Sequence, residues 1–457
     1  MNVLIVQFVP PSPASPPLAN FRQVLGVAVA GIRAEGIDVR LLAMIGYNPS
    51  LLRSAVHAHR PTHVLIEIPP AALTAARHTI VELGERHFLP TIVVGDVATS
   101  RPEQAVSIPG VTAVVCGEFD RAAPELLLAL REGSGAETVA GAWIKAEDGL
   151  ARNAPAEPAA DLDALPLADR EVFDTARAIA ATGEAPFAAA RGCGRWCAYC
   201  LNDWYLQLHE DPAGNRRRRS VGNVLAEIEQ VLGRYGGVRR VVFLDHAFAD
   251  DADWLAEFAP AYAARFQQPI RCHVRLDTLT DRSAEALAAA RCDLAEIEIG
   301  SGSSFIREEV LGLKLRREQI VAGVAALRRG GVGIRAGVFI GAPYESEISV
   351  EETLDLVAAL KPAEVRPRVY YPVAGTRAAE IASENGWISG RGEENFHLNR
   401  SVLDMPGYSA ARINETAEKF QTLVRRRSGS LLSRWWRRLR DIGRRPVGLS
   451  SRPRARP

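Results

Sequence analysis

Arg191-Gly192-Cys193-Gly194-Arg195-Trp196-Cys197-Ala198-Tyr199-Cys200 is the stretch from which the organisation of this chain can be read. It follows a short apolar run, Pro186–Ala190, and spaces three thiols as C-x3-C-x2-C. Half of the six cysteines in 457 residues fall within these eight positions, so a disulfide scaffold is excluded. Three thiolates on one tight loop suit three irons of a 4Fe–4S cluster, leaving the fourth iron open to an outside ligand. A structural zinc needs four ligands, and pair-spaced cysteines supply them two at a time. The alternatives are a zinc site completed by His209 or His246, or cysteines that are merely buried. Cys116, Cys272 and Cys292 read as small hydrophobes.

Toward the C terminus, apolar runs alternate with amphipathic stretches. After Pro186–Ala190, strands are expected at Arg240–Leu244, Ile270–Val274, Ala295–Ile299, Ile334–Phe339 and Val365–Tyr371. Helices are expected at Val221–Tyr235, Ala252–Arg265, Ser283–Ala290, Arg317–Arg329 and Val350–Leu360. In Arg317–Arg329 the apolar Ile320, Val321, Val324 and Leu327 share one face. Six β/α units fall short of the eight that close a barrel. The expectation is an open, partial (β/α)6 barrel over residues 181–380, with its chemistry at the C-terminal strand ends.

Residues 1–130 show the same alternation, with strands expected at Val3–Val6, Asp38–Leu42, His63–Ile68, Thr91–Val94 and Ala113–Cys116. This is an α/β, Rossmann-like pattern, and ligands of such sheets bind at the carboxyl ends of strands, here near Gly95, Gly117 and Glu118. No Gly-x-Gly-x-x-Gly occurs, which argues against a nicotinamide cofactor. Residues 131–180 read as a linker holding a small hairpin, Gly141–Asn153. Residues 381–424 read as a helical extension and 425–457 as a basic tail.

The net charge of +1 hides an asymmetry. Residues 425–457 hold twelve arginines and one acid, a local charge of +11, which leaves −10 on the other 424 residues. An acidic body does not suit a nucleic-acid enzyme, so no nucleic-acid partner is expected. The tail, with Leu431-Leu432-Ser433-Arg434-Trp435-Trp436, reads either as an amphipathic helix on an anionic membrane or as a disordered, solubilising end. No run of 18 apolar residues occurs, and with Met1 leading directly into Val3-Leu4-Ile5-Val6 no secretion signal is expected. The expected location is cytoplasmic, reaching the inner face of the membrane where the tail docks.

The cysteine segment, with aromatic Tyr199 before the last thiol, resembles the signature of radical S-adenosylmethionine (radical SAM) enzymes. Further segments resemble that family in order. They are Phe243-Leu244-Asp245-His246-Ala247-Phe248 at the second strand end, Glu298-Ile299-Gly300-Ser301-Gly302-Ser303 at the fourth, Ile340-Gly341-Ala342-Pro343-Tyr344-Glu345 at the fifth and Pro372-Val373-Ala374-Gly375-Thr376 at the sixth. The N-terminal domain is similar to the cobalamin-binding domain that precedes the barrel in one branch, as are Gly117-Glu118 and Asp161-Leu162-Asp163-Ala164-Leu165-Pro166. The resemblance covers about residues 1–380.

The resemblance implies that Cys193, Cys197 and Cys200 ligate a 4Fe–4S cluster whose open iron chelates S-adenosylmethionine. It implies S-adenosylmethionine contacts at Tyr199, Asp245, Arg275, Ser301, Gly302, Ser303, Ile340 and Gly341, and cobalamin contacts at Gly95, Gly117 and Glu118. It also implies an electron donor such as flavodoxin or ferredoxin. His246, Tyr370 and Tyr371 are the candidate substrate-facing residues; strand alternation would point one tyrosine inward. Arg216–Arg219 read either as contacts for an anionic substrate or the amide-rich rim of cobalamin or, as such runs usually are, as a solvated loop before a helix capped by Ser220. Three departures stand out: no D-x-H-x-x-G cobalt-ligand motif, Asp96 where a second glycine is usual, and Pro69-Pro70 at the third strand end. The expected function is a radical SAM enzyme, a cobalamin-dependent methyltransferase of an unactivated carbon in a natural-product or lipid intermediate, with a peptide substrate also open. The alternative is a non-methylating rearrangement or cyclisation with a degenerate cobalamin domain.

Overall fold

The computed structural model describes residues 1–10, 20–146, 149–208, 216–389 and 394–429. His209 and the tail beyond residue 429 lie outside the described residues, and with them the amphipathic-helix reading of Leu431–Arg440.

The first sheet has seven strands in the order β2-β1-β3-β4-β5-β6-β7. These are β1 (Asn2–Phe8), β2 (Asp38–Met44), β3 (His63–Glu67), β4 (Thr91–Val94), β5 (Val111–Val115), β6 (Ala142–Ala146) and β7 (Gly149–Arg152). The first five run parallel. Val3, Leu4, Ile5 and Val6 are all buried because helices cover both faces, which is why β1 reads as an unbroken apolar run. One face packs on the helices Gln23–Ala34 and Phe119–Glu132, the other on Pro49–His59 and Leu73–His87. The order 2-1-3 reverses direction between β1 and β3, the place where such sheets open a ligand crevice at their carboxyl ends.

The hairpin expected inside the linker is instead the antiparallel edge of this sheet, since β6 pairs with β5 from Ala113–Ile144 to Val115–Ala142. The following segment is also packed. Phe173 is buried in the first domain's core, and Arg170 lies over the rings of Phe21 and Phe187 at 4.4 and 4.5 Å.

The second sheet holds six parallel strands in the order β15-β14-β13-β12-β11-β8. They are β8 (Glu184–Phe187), β11 (Arg240–Phe243), β12 (Ile270–Val274), β13 (Cys292–Gly300), β14 (Gly333–Ile340) and β15 (Glu364–Val369), while β9 (Ala190–Arg191) and β10 (Arg217–Arg218) form a separate two-stranded ladder. Each long strand alternates. Cys272, Ala295, Ile297, Ala336 and Val338 join the core under the helices, whereas Arg271, Glu296, Arg335 and Arg368 alternate with them on the other face. That second face is polar: Glu296 accepts Arg271 at 3.1 Å and Arg335 at 3.0 Å. Helix starts are set by side-chain caps, with Ser220 accepting from Asn223 N–H and Asp251 from Trp254 N–H. The helix Ala410–Gly429 takes in residues 425–429 and seats Ile413 against Gly341, where a Cβ would come within 2.6 Å.

Candidate active site

The chain leaves β9 at Arg191 and enters the cysteine loop, which is pinned by backbone and amide contacts. Ala198 N–H donates to the Leu311 carbonyl at 3.0 Å and Ala378 N–H to the Ala198 carbonyl at 2.8 Å. Asn202 Nδ2 donates to the Cys193 carbonyl at 2.6 Å, and its backbone N–H faces Cys200 Sγ at 3.5 Å. Cys197 is buried, Cys193 and Cys200 half-buried. Burial pushes the Cys197 thiol up to about 12, against the nearby Arg195 charge, and also raises Cys200. As bare thiols these groups hold their protons, so any metal must displace them.

Two guanidiniums stand beside the loop. Arg275 Nη1 lies 3.8 Å from Cys193 Sγ, and Arg275 and Arg195 share Asp277. Burial works to raise the Asp277 carboxyl, but these two cations outweigh it and hold its pKa down to about 2. No group of three His, Cys, Asp or Glu side chains among the described residues converges on a single point as one ion would require. A four-iron cluster takes each thiolate on a different iron, so its ligands need not meet. Three thiols on one pinned loop, flanked by two cations that offset thiolate charge, fit that group.

Tyr199 turns toward the concave side of the second sheet, its ring edge-on to Phe339 at 4.7 Å. Arg368 lies over Phe339 at 5.0 Å and pairs with Glu298, whose carboxylate also accepts Gly300 N–H at 3.1 Å. Ser301 is fully buried, its hydroxyl 3.2 Å from that of Thr353 and accepting Ser303 N–H. A Cβ on Gly302 would meet the Glu352 carbonyl oxygen at 2.3 Å, so only glycine lets the helix Glu347–Leu360 pack there. Ile340 is fully buried, and Gly341 N–H donates to Glu345. Tyr370 is fully buried beside Phe339, whereas Tyr371 packs on Phe396; both lie just past β15.

A cavity of about 960 Å³ lies between the carboxyl ends of the first sheet and the mouth of the second. It joins Gly95, Gly117 and Glu118 to Cys200, Asp245 and His246. Gly95 and Gly117 have φ of +88° and +84°, and a Cβ on Gly117 would point into open space. Asp245 accepts Ala189 N–H at 3.0 Å, and burial lifts its carboxyl to about 6 against that bond. His246 opens onto the cavity and is exposed there; crowding by the surrounding wall, then the Arg22 charge, lowers its pKa and favours the neutral imidazole.

The cavity walls are charged but paired. Arg22 bonds Glu67 at 2.8 Å and approaches Asp96 at 4.0 Å, and Tyr205 from the cysteine-loop helix donates to Asp96 at 3.4 Å. Glu118 takes Arg191 at 3.0 Å and both nitrogens of Arg217. The run Arg216–Arg219 is therefore not a solvated loop. Arg217 and Arg219 are buried, and Arg216 and Arg218 both hold Asp250. Sequence reading missed Arg368, Phe339, Asp277, Arg22 and Glu67, and singled out Asp96 only as a departure from a second glycine. The alternating charges of Glu364-Val365-Arg366-Pro367-Arg368 were the available signal for the first.

Comparisons with known proteins agree with this geometry. The pattern of the Radical SAM superfamily matches residues 189–357. An uncharacterized methyltransferase of Pyrococcus horikoshii is 24% identical over 339 residues, 72% of this chain and 70% of that protein. A tRNA-2-methylthio-N(6)-dimethylallyladenosine synthase of Pelobacter propionicus is 27% identical over 227 residues, 46% and 47% of the two chains. The structure of TsrM, a radical S-adenosylmethionine methyltransferase from Kitasatospora setae, aligns with TM-score 0.63 at 18% identity, covering 85% of this chain and 77% of that one. OxsB, a cobalamin-dependent S-adenosylmethionine radical enzyme, gives 0.64 at 15% identity over 92% and 61%. At these identities the likeness to TsrM and OxsB is one of fold.

Proposed function

From a barrel that belongs to the Radical SAM superfamily, we propose that this enzyme is a cobalamin-dependent methyltransferase acting on an unactivated carbon of a natural-product or lipid intermediate. The observation that carries this reading is the 960 Å³ cavity, at the upper end of small-molecule sites, walled on one side by the first sheet's strand ends and on the other by Cys200 and Asp245. Its guanidiniums are neutralised in place, which suits a large amide-rimmed macrocycle better than a polyanion. Gly117, open above and at positive φ, lets a flat ligand approach the backbone.

When bound, the cluster supplies the electron that splits S-adenosylmethionine to a 5′-deoxyadenosyl radical, and cobalamin supplies the methyl carrier. The chain's own residues hold and shield. Cys193, Cys197 and Cys200 ligate, and Arg275 offsets thiolate charge beside Cys193. Arg368 and Glu298, paired over the Phe339 ring, offer opposite charges to the ammonium and carboxylate of a bound amino acid. His246, neutral and facing the cavity, is placed to accept a proton from substrate.

A second reading, a non-methylating radical enzyme of the same architecture, is favoured by Arg22, Glu67 and Asp96. They set charges on the strand ends where a macrocycle would lie. Anaerobic purification with cobalamin supplied, then assay with S-adenosylmethionine and a strong reductant, separates the two. Bound corrinoid with both 5′-deoxyadenosine and S-adenosylhomocysteine formed supports the methyltransferase. An iron–sulfur spectrum with 5′-deoxyadenosine and no corrinoid supports the second reading.

A further inference from the structure

Among the described residues Arg307 is the bulkiest fully buried side chain, 1% exposed. It projects from a single π-helical turn, Phe305–Val310, just after Ser301-Gly302-Ser303. A guanidinium taken out of water destabilises a fold unless its donors find acceptors. Here the fork divides between two separate stretches of backbone. Nε donates to the Leu315 carbonyl at 2.5 Å, and Nη1 to the carbonyls of Ser301 at 3.0 Å and Gly302 at 3.3 Å. Nη2 pairs with Glu308 at 2.8 Å.

The first stretch is the shelf under the cysteine loop. Leu311, Leu313 and Leu315 are buried, and Leu313 N–H returns to the Arg307 carbonyl at 2.9 Å. The Leu311 carbonyl takes Ala198 N–H, and Gly312, at φ +66°, packs so closely that a Cβ would come within 3.0 Å of the Ala198 nitrogen. The second stretch is the turn at the end of β13. One side chain therefore spans from that turn to the shelf that carries the cysteines, and it is not among the residues lining the cavity.

We propose that Arg307 is a positioning residue that sets the spacing between the cysteine loop and the 301–303 turn, and through it the fit of S-adenosylmethionine to both. The amino-acid end of the ligand sits at the cysteine loop and its nucleoside end at the turn. A ligand held at both ends gains an intramolecular second contact only where the spacing matches its length. This rests on the reading of the site given above as Proposed function.

The test uses the full chain with its cluster and three ligands: S-adenosylmethionine and its two parts, methionine and 5′-deoxyadenosine. Arg307→Lys keeps the charge and loses the planar fork. Iron per chain should match the parent. Affinity for S-adenosylmethionine should fall about tenfold or more, while methionine and 5′-deoxyadenosine each bind within about twofold of the parent. A smaller loss for S-adenosylmethionine would overturn the proposal, and so would a parallel loss for the two parts, which is what a merely structural role produces. A parent whose reduced cluster shows no change in electron paramagnetic resonance on adding S-adenosylmethionine would overturn the reading of the site as well. Should the variant hold no cluster, amide exchange in the parent decides. 5′-Deoxyadenosine alone should then slow exchange at residues 311–316 as well as 301–303, and unchanged exchange at 311–316 overturns the role of Arg307.

Discussion

Arg191, two residues ahead of Cys193, donates to Glu118 of the other domain at 3.0 Å and to Asp120 at 2.7 Å. The strand that launches the cysteine loop is thus tied to the turn after β5, and Arg217 closes on the same Glu118 carboxylate. Burial raises the Glu118 pKa, but the Arg217 and Arg191 guanidiniums overcome it and keep the group ionised. Glu118→Gln leaves two buried cations partly uncompensated. Arg191 retains Asp120, so the expected loss is about 2–3 kcal/mol, less than for a wholly orphaned charge. Denaturant unfolding measures it, and a variant as stable as the parent would show that the clamp contributes nothing.

Replacing Cys193, Cys197 or Cys200 by alanine should each remove the cluster, read as iron per chain and as loss of charge-transfer absorbance. Cys272→Ala should keep both. Cys272 is fully buried, with Cys292 Sγ 3.9 Å away, so its removal costs only packing, about 1–2 kcal/mol. Iron retained in any of the three single variants would contradict the ligand assignment.

Asp96 places a carboxylate between Arg22 and Tyr205 at the first sheet's strand ends. If a macrocycle lies there, Asp96→Gly should free both space and backbone, and corrinoid retention through gel filtration should rise severalfold. Unchanged or weaker retention would place the ligand away from these strand ends. Arg22 keeps its bond to Glu67 in this variant, so the cavity floor stays charged but narrower in reach.

Glu345 is buried, and that burial lifts its pKa to about 8, against the backbone N–H bonds of Gly341 and Ala342. A carboxyl that binds its proton more tightly folded than unfolded stabilises the fold at low pH and loses that contribution as pH rises through 8. The parent's Tm should therefore decline from pH 6 to 9 more than that of Glu345→Gln, which keeps an acceptor oxygen for Gly341. Parallel Tm curves for the two proteins would refute the assignment.

Much of the architecture was readable because strand and helix periods differ so plainly. Thr91–Val94, Ile270–Val274, Ala252–Arg265 and Arg317–Arg329 have the expected bounds. The hairpin escaped because Ala142–Ala146 declares no partner, and pairing with β5 is settled only when both strands are folded. The cysteine loop was legible from spacing alone. Gly95, Gly117, Glu118, Asp245 and His246, named from the resemblance, do line the cavity, but the pairing of Arg22, Glu67, Asp96 and Tyr205 was not legible, since these lie up to 183 positions apart in sequence and meet only where two domains face each other. Arg216–Arg219 misled because a run of like charge usually solvates, and here each side chain finds an acid or a carbonyl supplied from elsewhere in the chain.

Arg170, pressed between Phe21 and Phe187 and bonded to Glu227 at 2.7 Å, acts as a rivet through the seam between the two halves. Swinging the halves apart there would strip Arg170 of both rings and of its buried acid together, a cost that favours a chamber of fixed dimensions. Reagents that must visit opposite walls have to travel within it themselves. Retuning the enzyme for a larger guest would then mean carving side chains such as Leu244 or Phe119 from the lining, because lengthening the connecting segment would have nothing to release.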